Sequence, residues 1–356
     1  MSKPIVHVGR YDKFMSPFIN FVNKHFAQQR HLFFLFVVSY SHELNDSGNV
    51  HLHSNKRGLL KTLVFNLQTA WKMQRAERII LHGLFNNSVV AILFFMPWLL
   101  KKSYWLVWGG DVYYRPSGNQ LPLKIKFMRM MRRRVIRQMG YIVTSVKGDY
   151  EKAVEWHGTR SPNLPYFMYT NSLYQYVAPP ERNTAKTRIL LGNSAMRSNH
   201  HEQAMDIIAP YVNDAVEIIC PLNYGDLEYG KEMAKLGEQR FGRAFRPILD
   251  YMPYDEYMQI LSTVDIAVFN HDRQQAMSST RVLLGMGTRV YLRKETTSYA
   301  NLTGLGAKLH AIENFCLALD PQESAHNIGI IKTHYSEERL RANMAKIFGS
   351  EKALSS

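Results

Sequence analysis

Two cysteines in 356 residues, Cys220 and Cys316, each inside an apolar run, are too few for a disulfide framework and suit a reducing compartment. Long hydrophobic runs are missing as well. The longest, Val89 to Leu100, is interrupted by Pro97 and closed by Lys101 and Lys102. It falls well short of the roughly twenty residues that cross a bilayer, and it reads as a core helix. The first residues, MSKPIVHVGR, lack the apolar stretch of a signal peptide and read as a first buried strand. No Asp-x-Asp occurs, which removes the usual protein ligand for a metal–diphosphate bridge. Nor is there a Cys-x-x-Cys pair, a Gly-x-Ser-x-Gly elbow, a Gly-x-Gly-x-x-Gly fingerprint or a Walker sequence. His51 and His53 form a weak metal pair in a polar loop, with no carboxylate or thiolate close in sequence. Acidic residues are also short: 29 Asp and Glu against 44 Lys and Arg leave a formal charge of +15. Such an excess implies an acidic partner, whether nucleic acid, anionic lipid or a phosphorylated substrate.

What is present is a rhythm. Short β-branched or aromatic runs at Ile5–Val8, Phe33–Val38, Arg78–Leu81, Tyr104–Trp108 and Tyr141–Thr144 alternate with helical patterns near 14–29, 57–75, 88–100 and 121–139. The rhythm breaks in a proline-bearing stretch around 161–180 and then restarts. Strands are expected at Arg188–Leu191, Val216–Cys220, Phe245–Leu249, Asp265–Phe269 and Arg289–Leu292, with helices near 199–212, 227–240, 253–263 and 279–286. A chain of this length also exceeds the usual size of one core. The reading is α/β: two Rossmann-like domains, at 1–165 and 185–335, with mostly parallel sheets facing across a cleft and a linker at 166–184. A last helix, about 336–349, is placed to pack back on the first domain. Ligands of such sheets bind outside the carboxyl ends of the strands, so residues just after strands are the informative ones.

Four strand-end segments stand out. In LGNSAMRSNHH (191–201), Gly192 permits a tight turn, Ser198 or Asn199 can cap the next helix with Glu202 reaching back, and Arg197 can add a charge-assisted contact. Backbone N–H groups at a helix start suit an anion such as a diphosphate; the plainer reading is a well-capped turn. In NHDRQQAMSST (270–280), Gln275, Ser279 and Thr280 can hydrogen-bond phosphate oxygens while Arg273 neutralises charge, against the reading of a solvated loop. In Trp108-Gly109-Gly110-Asp111, the glycines let a ligand approach the backbone and Asp111 is offered as a general base for a sugar hydroxyl; a turn or capping aspartate is the alternative. In LHGLFNN (81–87), His82 is a second candidate base or a hydrogen-bond donor to phosphate and Asn86 a sugar contact, although a lone strand-end histidine is more often structural.

A fifth segment, LKIKFMRMMRRRVIRQ (123–138), places Met128, Met131, Val135 and Met139 at helical spacing on one side. Lys126, Arg129, Arg133 and Arg137 recur on the other, with no acid to offset them. A docked helix facing anionic headgroups has this pattern.

These segments together resemble the bacterial TDP-4-acetamido-4,6-dideoxygalactose:lipid II transferases, also called the 4-alpha-L-fucosyltransferase family. The matching pieces are LHGLFN at 81–86, WGGDVY at 108–113, the basic segment at 124–137, LLGNSAMRSNHH at 190–201 and Arg273-Gln274-Gln275, in order and at similar spacing. The resemblance implies a GT-B-like fold and metal-independent transfer without a cofactor. It also implies a TDP- or GDP-linked deoxyamino- or deoxyhexose donor on the second domain. On the first it puts a lipid-diphosphate-linked glycan acceptor, as in enterobacterial common antigen synthesis. Carried over by position, the donor site would use Gly192, Asn193, Ser194, Arg197, Asn199, Arg273, Gln274 and Gln275, with Tyr224 near the nucleotide. Trp108, Gly109 and Gly110 with Asn86 would meet the acceptor. A peripheral position on the cytoplasmic face of the inner membrane follows from the same resemblance. Two rivals remain at this point: a non-catalytic nucleotide-sugar binder on the same fold, and a basic nucleic-acid-binding protein, which would interleave basic residues with exposed aromatics along one surface, whereas the densest basic run here sits on one helix and the polar loops cluster at strand ends.

Overall fold

A computed structural model describes residues 3–12, 14–37, 48–54, 58–112, 122–175, 177 and 186–350. Tyr113 of the WGGDVY segment, Val38 and most of the stretch 176–185 lie outside the described residues. The chain divides into two compact units, one of residues 1–171 with 337–356 and one of residues 172–336.

The first unit holds strands β1 (Ile5–Tyr11), β2 (His31–Val37), β3 (Val50–His53), β4 (Arg78–His82), β5 (Ser103–Leu106), β6 (Tyr141–Val143) and β7 (Asn163–Leu164). Its helices are α1 (Met15–His25), α2 (Leu59–Arg75), α3 (Asn87–Phe95), α4 (Leu123–Arg137) and α5 (Lys147–His157). The strands form one seven-stranded sheet in the order β3-β2-β1-β4-β5-β6-β7, every pair parallel. Buried on both faces, β1 and β2 read as continuous apolar runs, which is the parallel-sheet pattern. Met15, Phe18, Ile19 and Val22 give α1 a fully buried stripe. The run from 88 to 100 is two pieces: α3 ends at Phe95 and a 3₁₀ segment starts at Pro97, whose ring cannot continue an α-helix.

The second unit alternates strictly: β8 (Thr187–Leu191), α6 (His201–Ile208), β9 (Val216–Pro221), α7 (Leu227–Phe241), β10 (Phe245–Ile248), α8 (Tyr254–Leu261), β11 (Ile266–Phe269), α9 (Met277–Gly285), β12 (Arg289–Leu292), α10 (Thr297–Gly304), β13 (His310–Ala311) and α11 (Pro321–His334). Its sheet is six-stranded and parallel, ordered β10-β9-β8-β11-β12-β13. The last helix, α12 (Glu337–Phe348), belongs to the first unit. There Phe348 packs its ring on Phe26 and His31, and Arg78 donates to the Ile347 carbonyl at 2.7 Å.

Several expectations change. His51 and His53 lie on β3, not in a polar loop. His51 stacks on Phe34, and the buried His53 is hydrogen-bonded to Thr62 at 2.9 Å. The division between the units falls at 171–172, within the stretch 166–184 expected to be linker. Neither Ser198 nor Asn199 caps α6; the residue before this helix is His200.

Candidate functional site

Each sheet reverses its strand order once, between β1 and β4 in the first unit and between β8 and β11 in the second. Loops leaving adjoining strands diverge at such a point, which is where open α/β sheets bind ligands. The sequence-selected segments after β4, β8 and β11 all leave from these points, while the glycine segment follows β5.

In the first unit Asp111 has no exposed surface. Its Oδ1 accepts from the Trp108 N–H at 3.0 Å, and its Oδ2 from Trp105 Nε1 at 2.7 Å and the Leu84 N–H at 3.1 Å. Burial raises its carboxyl pKa, opposed by these donors. A general base needs an oxygen that an acceptor hydroxyl can reach. Both oxygens of Asp111 are spent inside the fold, joining the loops after β4 and β5, and its geometry is that of a clasp instead of the expected base. Gly83 makes the same turn possible: it sits at φ +75°, and a Cβ there would lie 2.4 Å from the Phe85 ring. Asn86, expected to touch a sugar, caps α3 instead, its side-chain oxygen accepting from Ser88 N at 2.7 Å.

His82 is also inside. Its Nδ1 meets the Tyr169 hydroxyl at 2.6 Å and its Nε2 meets His7 Nδ1 at 3.1 Å; His7 Nε2 then meets His31 Nδ1 at 2.9 Å. Trp108 Nε1 donates to the same Tyr169 oxygen at 2.8 Å. With Tyr169 donating to His82, His82 to His7 and His7 to His31, every imidazole is neutral and the buried His31 Nε2 is left without a partner among the described residues. Burial pushes the His82 pKa down to about 3 and that of His31 to about 4, and holds His7 well below the usual range. A ring so reluctant to take a proton is a poor base, so His82 positions Tyr169 and Trp108 and does not carry the proton itself. Trp108 is half-buried, Gly109 is buried and Gly110 is exposed.

One carboxylate on this edge was not singled out from the sequence. Asp12 directly follows β1 at the reversal point, is half-exposed, and accepts from the Phe14 N–H at 2.9 Å. The Tyr169 pKa is raised well above its usual value, first by burial and in part by the charges of Asp12 and Asp111. A lone aspartate after Gly-Arg-Tyr has no motif around it; only the strand order shows where it lies.

In the second unit the loops after β8 and β11 are tied together by one side chain. Gln275 Nε2 donates to Asn193 Oδ1 at 3.0 Å, and its Oε1 accepts from Ser198 Oγ at 2.7 Å. His200 adds a contact to Asp272 at 3.1 Å. Among the described residues the non-glycine positions with positive φ are His200 (46°) and Ala276 (53°), one in each loop. Such backbone costs of order 1–3 kcal/mol and persists where surroundings enforce it, often at ligand sites. Gly192 turns at φ +69°, and a Cβ there would come within 2.7 Å of His201 Nε2. Burial holds His201 near pKa 4 and His271 near 3, so both are neutral beneath the loops. Arg273, Gln274 and Ser279 carry no side-chain hydrogen bond or ion pair among the described residues, whereas the first N–H groups of α9 start beside them.

Of the other expected donor contacts, Thr280, Asn199 and Ser194 are turned inward, whereas Arg197 and Tyr224 are exposed. Thr280 is buried and its hydroxyl donates to the Ala276 carbonyl at 2.9 Å. Asn199 uses Nδ2 on the Ser194 carbonyl at 2.8 Å, and Ser194 itself is buried. Arg197 pairs with Asp226 at 3.7 Å and lies over the Tyr229 ring. Tyr224 is exposed, and its carbonyl accepts from Ala195 N at 2.7 Å. On α4 the buried residues are Met131, Arg132, Val135 and Ile136, while Lys126, Arg129, Arg133 and Arg137 are exposed.

A family model for 4-alpha-L-fucosyltransferases, glycosyl transferase group 56, matches residues 8–305. The chain belongs to this family. Among solved structures it is similar to sucrose-phosphate synthase from Thermosynechococcus elongatus, at TM-score 0.67 and 10% identity over 100% of both chains. It is also similar to HepE from Anabaena in complex with UDP and glucose, at TM-score 0.59 and 11% identity over 99% of this chain and 98% of that one. A third likeness is WaaG, a glycosyltransferase involved in lipopolysaccharide biosynthesis, at TM-score 0.58 and 11% identity over 99% and 95%. These neighbours are GT-B glycosyltransferases, and the fold of this group 56 transferase is GT-B. The protein is a nucleotide-sugar-dependent glycosyltransferase.

For this group 56 member, sequence reading also missed Arg293 after β12. It donates to Asn270 at 2.6 Å and to Gln203 at 2.5 Å, bracing the loop that carries Arg273. A polar residue just past a strand was the available signal.

Proposed function

We propose that the protein transfers a deoxyamino- or deoxyhexose from a TDP- or GDP-linked donor to a hydroxyl of an undecaprenyl-diphosphate-linked saccharide, without a metal, at the cytoplasmic face of a bacterial inner membrane. The observation that carries the donor side is the pair of loops at the second reversal point, strained at His200 and Ala276 and bridged by Gln275. The α9 N-terminus, with Arg273 in the loop just before it, supports a diphosphate site there. When the C1–oxygen bond breaks, negative charge grows on the departing nucleoside diphosphate. Helix N–H groups and a guanidinium stabilise that charge in place of a metal ion. On the first unit Asp12 is the base for the acceptor hydroxyl; its partial exposure and its place just after β1 favour it over the enclosed Asp111. The exposed cations of α4 suit the anionic surface that would carry such an acceptor.

The test incubates protein, each nucleotide sugar and undecaprenyl-diphosphate-linked saccharide, with and without EDTA, and follows the lipid product by mass. Product is expected in both conditions from one donor. Asp12→Asn should lower turnover by about 10²–10⁴-fold with the melting temperature kept, while Asp111→Asn should chiefly lower the melting temperature. Absence of transfer from every donor contradicts the proposal, and loss of transfer in EDTA removes its metal-independent part.

A further inference from the structure

Helix α2 has two apolar faces. Phe65, Thr69 and Met73 are its buried positions. At about 100° per residue, Leu60, Leu63, Val64, Leu67 and Trp71 lie roughly half a turn away from them, and all five are exposed, Leu60 at 75% and Leu67 at 62%. A surface helix of a globular protein turns polar residues outward at these positions. Scattered exposed leucines need no explanation, but a stripe repeated at three- and four-residue spacing does.

The stripe continues onto its neighbours. On the far side of α3, Phe95 is 67% exposed, and Trp98 is exposed with its Nε1 donating to Gln74 of α2 at 2.6 Å. Phe94 touches Phe127 of α4, whose outer side shows Leu123, Phe127 and Met130. No acidic residue occurs on α2 or α4. Lys61, Lys72 and Arg75 run along one flank of the α2 stripe, Arg75 lying 3.9 Å and Lys72 4.7 Å from the Trp71 ring centre. Lys126 and Arg129 flank the α4 part.

We propose that this outer face of α2, with Trp98, Phe95 and the first turns of α4, inserts into the headgroup–acyl boundary of an anionic bilayer. The inference deepens the membrane-surface part of the proposed function and does not depend on the transfer reaction. Charge selects the occupant. A second copy of the same face would set cations against cations, whereas an anionic bilayer offers negative headgroups to the rim and hydrocarbon to the stripe. Tryptophans at the edge of an apolar band are placed as residues at a membrane interface are.

The experiment sediments the full chain with phosphatidylcholine vesicles and with vesicles containing phosphatidylglycerol, at about 0.15 M and about 1 M salt. Binding to the anionic vesicles should survive in part at high salt, because inserted side chains are not screened. Combined Leu60→Ser, Leu63→Ser and Leu67→Ser should remove the salt-resistant fraction, lowering partition by about tenfold or more, and leave the weaker low-salt binding. These side chains are exposed, so the variant should keep its melting temperature and its nucleotide binding. Brominated lipid should quench tryptophan emission in the wild type, and less in Trp71→Phe. Vesicle binding by the triple variant equal to that of the wild type overturns the proposal, as does failure of the wild type to bind anionic vesicles. A dimer that the triple variant dissolves would make the face a protein interface instead, and overturns it as well. Neither readout involves transfer, so a failure of the transferase reading would leave these results standing.

Discussion

At the residue scale, the buried imidazoles behind the first sheet couple stability to pH. Unfolded histidine titrates near 6.5, while burial holds His31 to about 4 and His82 to about 3, with His7 also well below its usual value. Between those limits the unfolded chain binds more protons than the folded one, so stability rises with pH. The contribution is complete above about pH 7 and is lost as the pH falls below 6.5, at up to about 1.4 kcal/mol per pH unit for each ring. Urea denaturation should give a midpoint that is level from pH 8 to 7 and declines steeply toward pH 5; a level profile down to pH 5 would contradict the neutral chain. The sequence offered His82 as a strand-end histidine and Asp111 as a strand-end acid, and both positions were legible. Their roles were not, because those depend on His7, Tyr169 and Trp105, residues distant in sequence that only the folded sheet brings together. Asp12 shows the converse, a position that gains meaning only from the order of strands.

At the element scale, the strands of both sheets were readable because a parallel strand buried on two faces is a short unbroken apolar run. The short edge strands β3, β7 and β13, together with α5, α10 and α11, lack such a signal and were not anticipated. Amphipathic periodicity located α2 but could not say that a second apolar stripe would be left outside, since a pattern of spacing carries no information about which face meets a sheet. The same holds for the loops after β8 and β11. Gly192 and the Arg273–Gln275 run were visible as polar residues after strands, but the bridge from Gln275 to Asn193 and Ser198 spans 77 to 82 residues of sequence. That bridge holds both strained loops in one arrangement before a ligand arrives, which lowers the ordering cost of binding. Gln275→Ala should therefore weaken nucleotide binding by about tenfold, corresponding to one lost pair of partly buried hydrogen bonds, while thermal unfolding shifts little. Unchanged affinity by calorimetry would show that the bridge has no part in holding the donor loops.

At the scale of the whole molecule, two parallel sheets with the same reversal of order explain why a chain with no fingerprint motif still belongs to a transferase family. The GT-B scaffold supplies strand-end loops and helix N-termini, and the residues placed on them set the chemistry. The excess of 15 positive charges is also explained in part by where it falls: α4 and the flank of α2 carry cations without acids. No helix among the described residues is long and apolar enough to cross a membrane. The central claim is that the loops after β8 and β11 hold a nucleotide diphosphate through Arg273 and the start of α9. Calorimetric titration with UDP, GDP and TDP, each with and without magnesium, tests it most directly. The account predicts that one of the three binds at a single site with the same affinity in either condition, and that Arg273→Ala abolishes the binding. Failure of all three to bind, even with the acceptor lipid present, would contradict it.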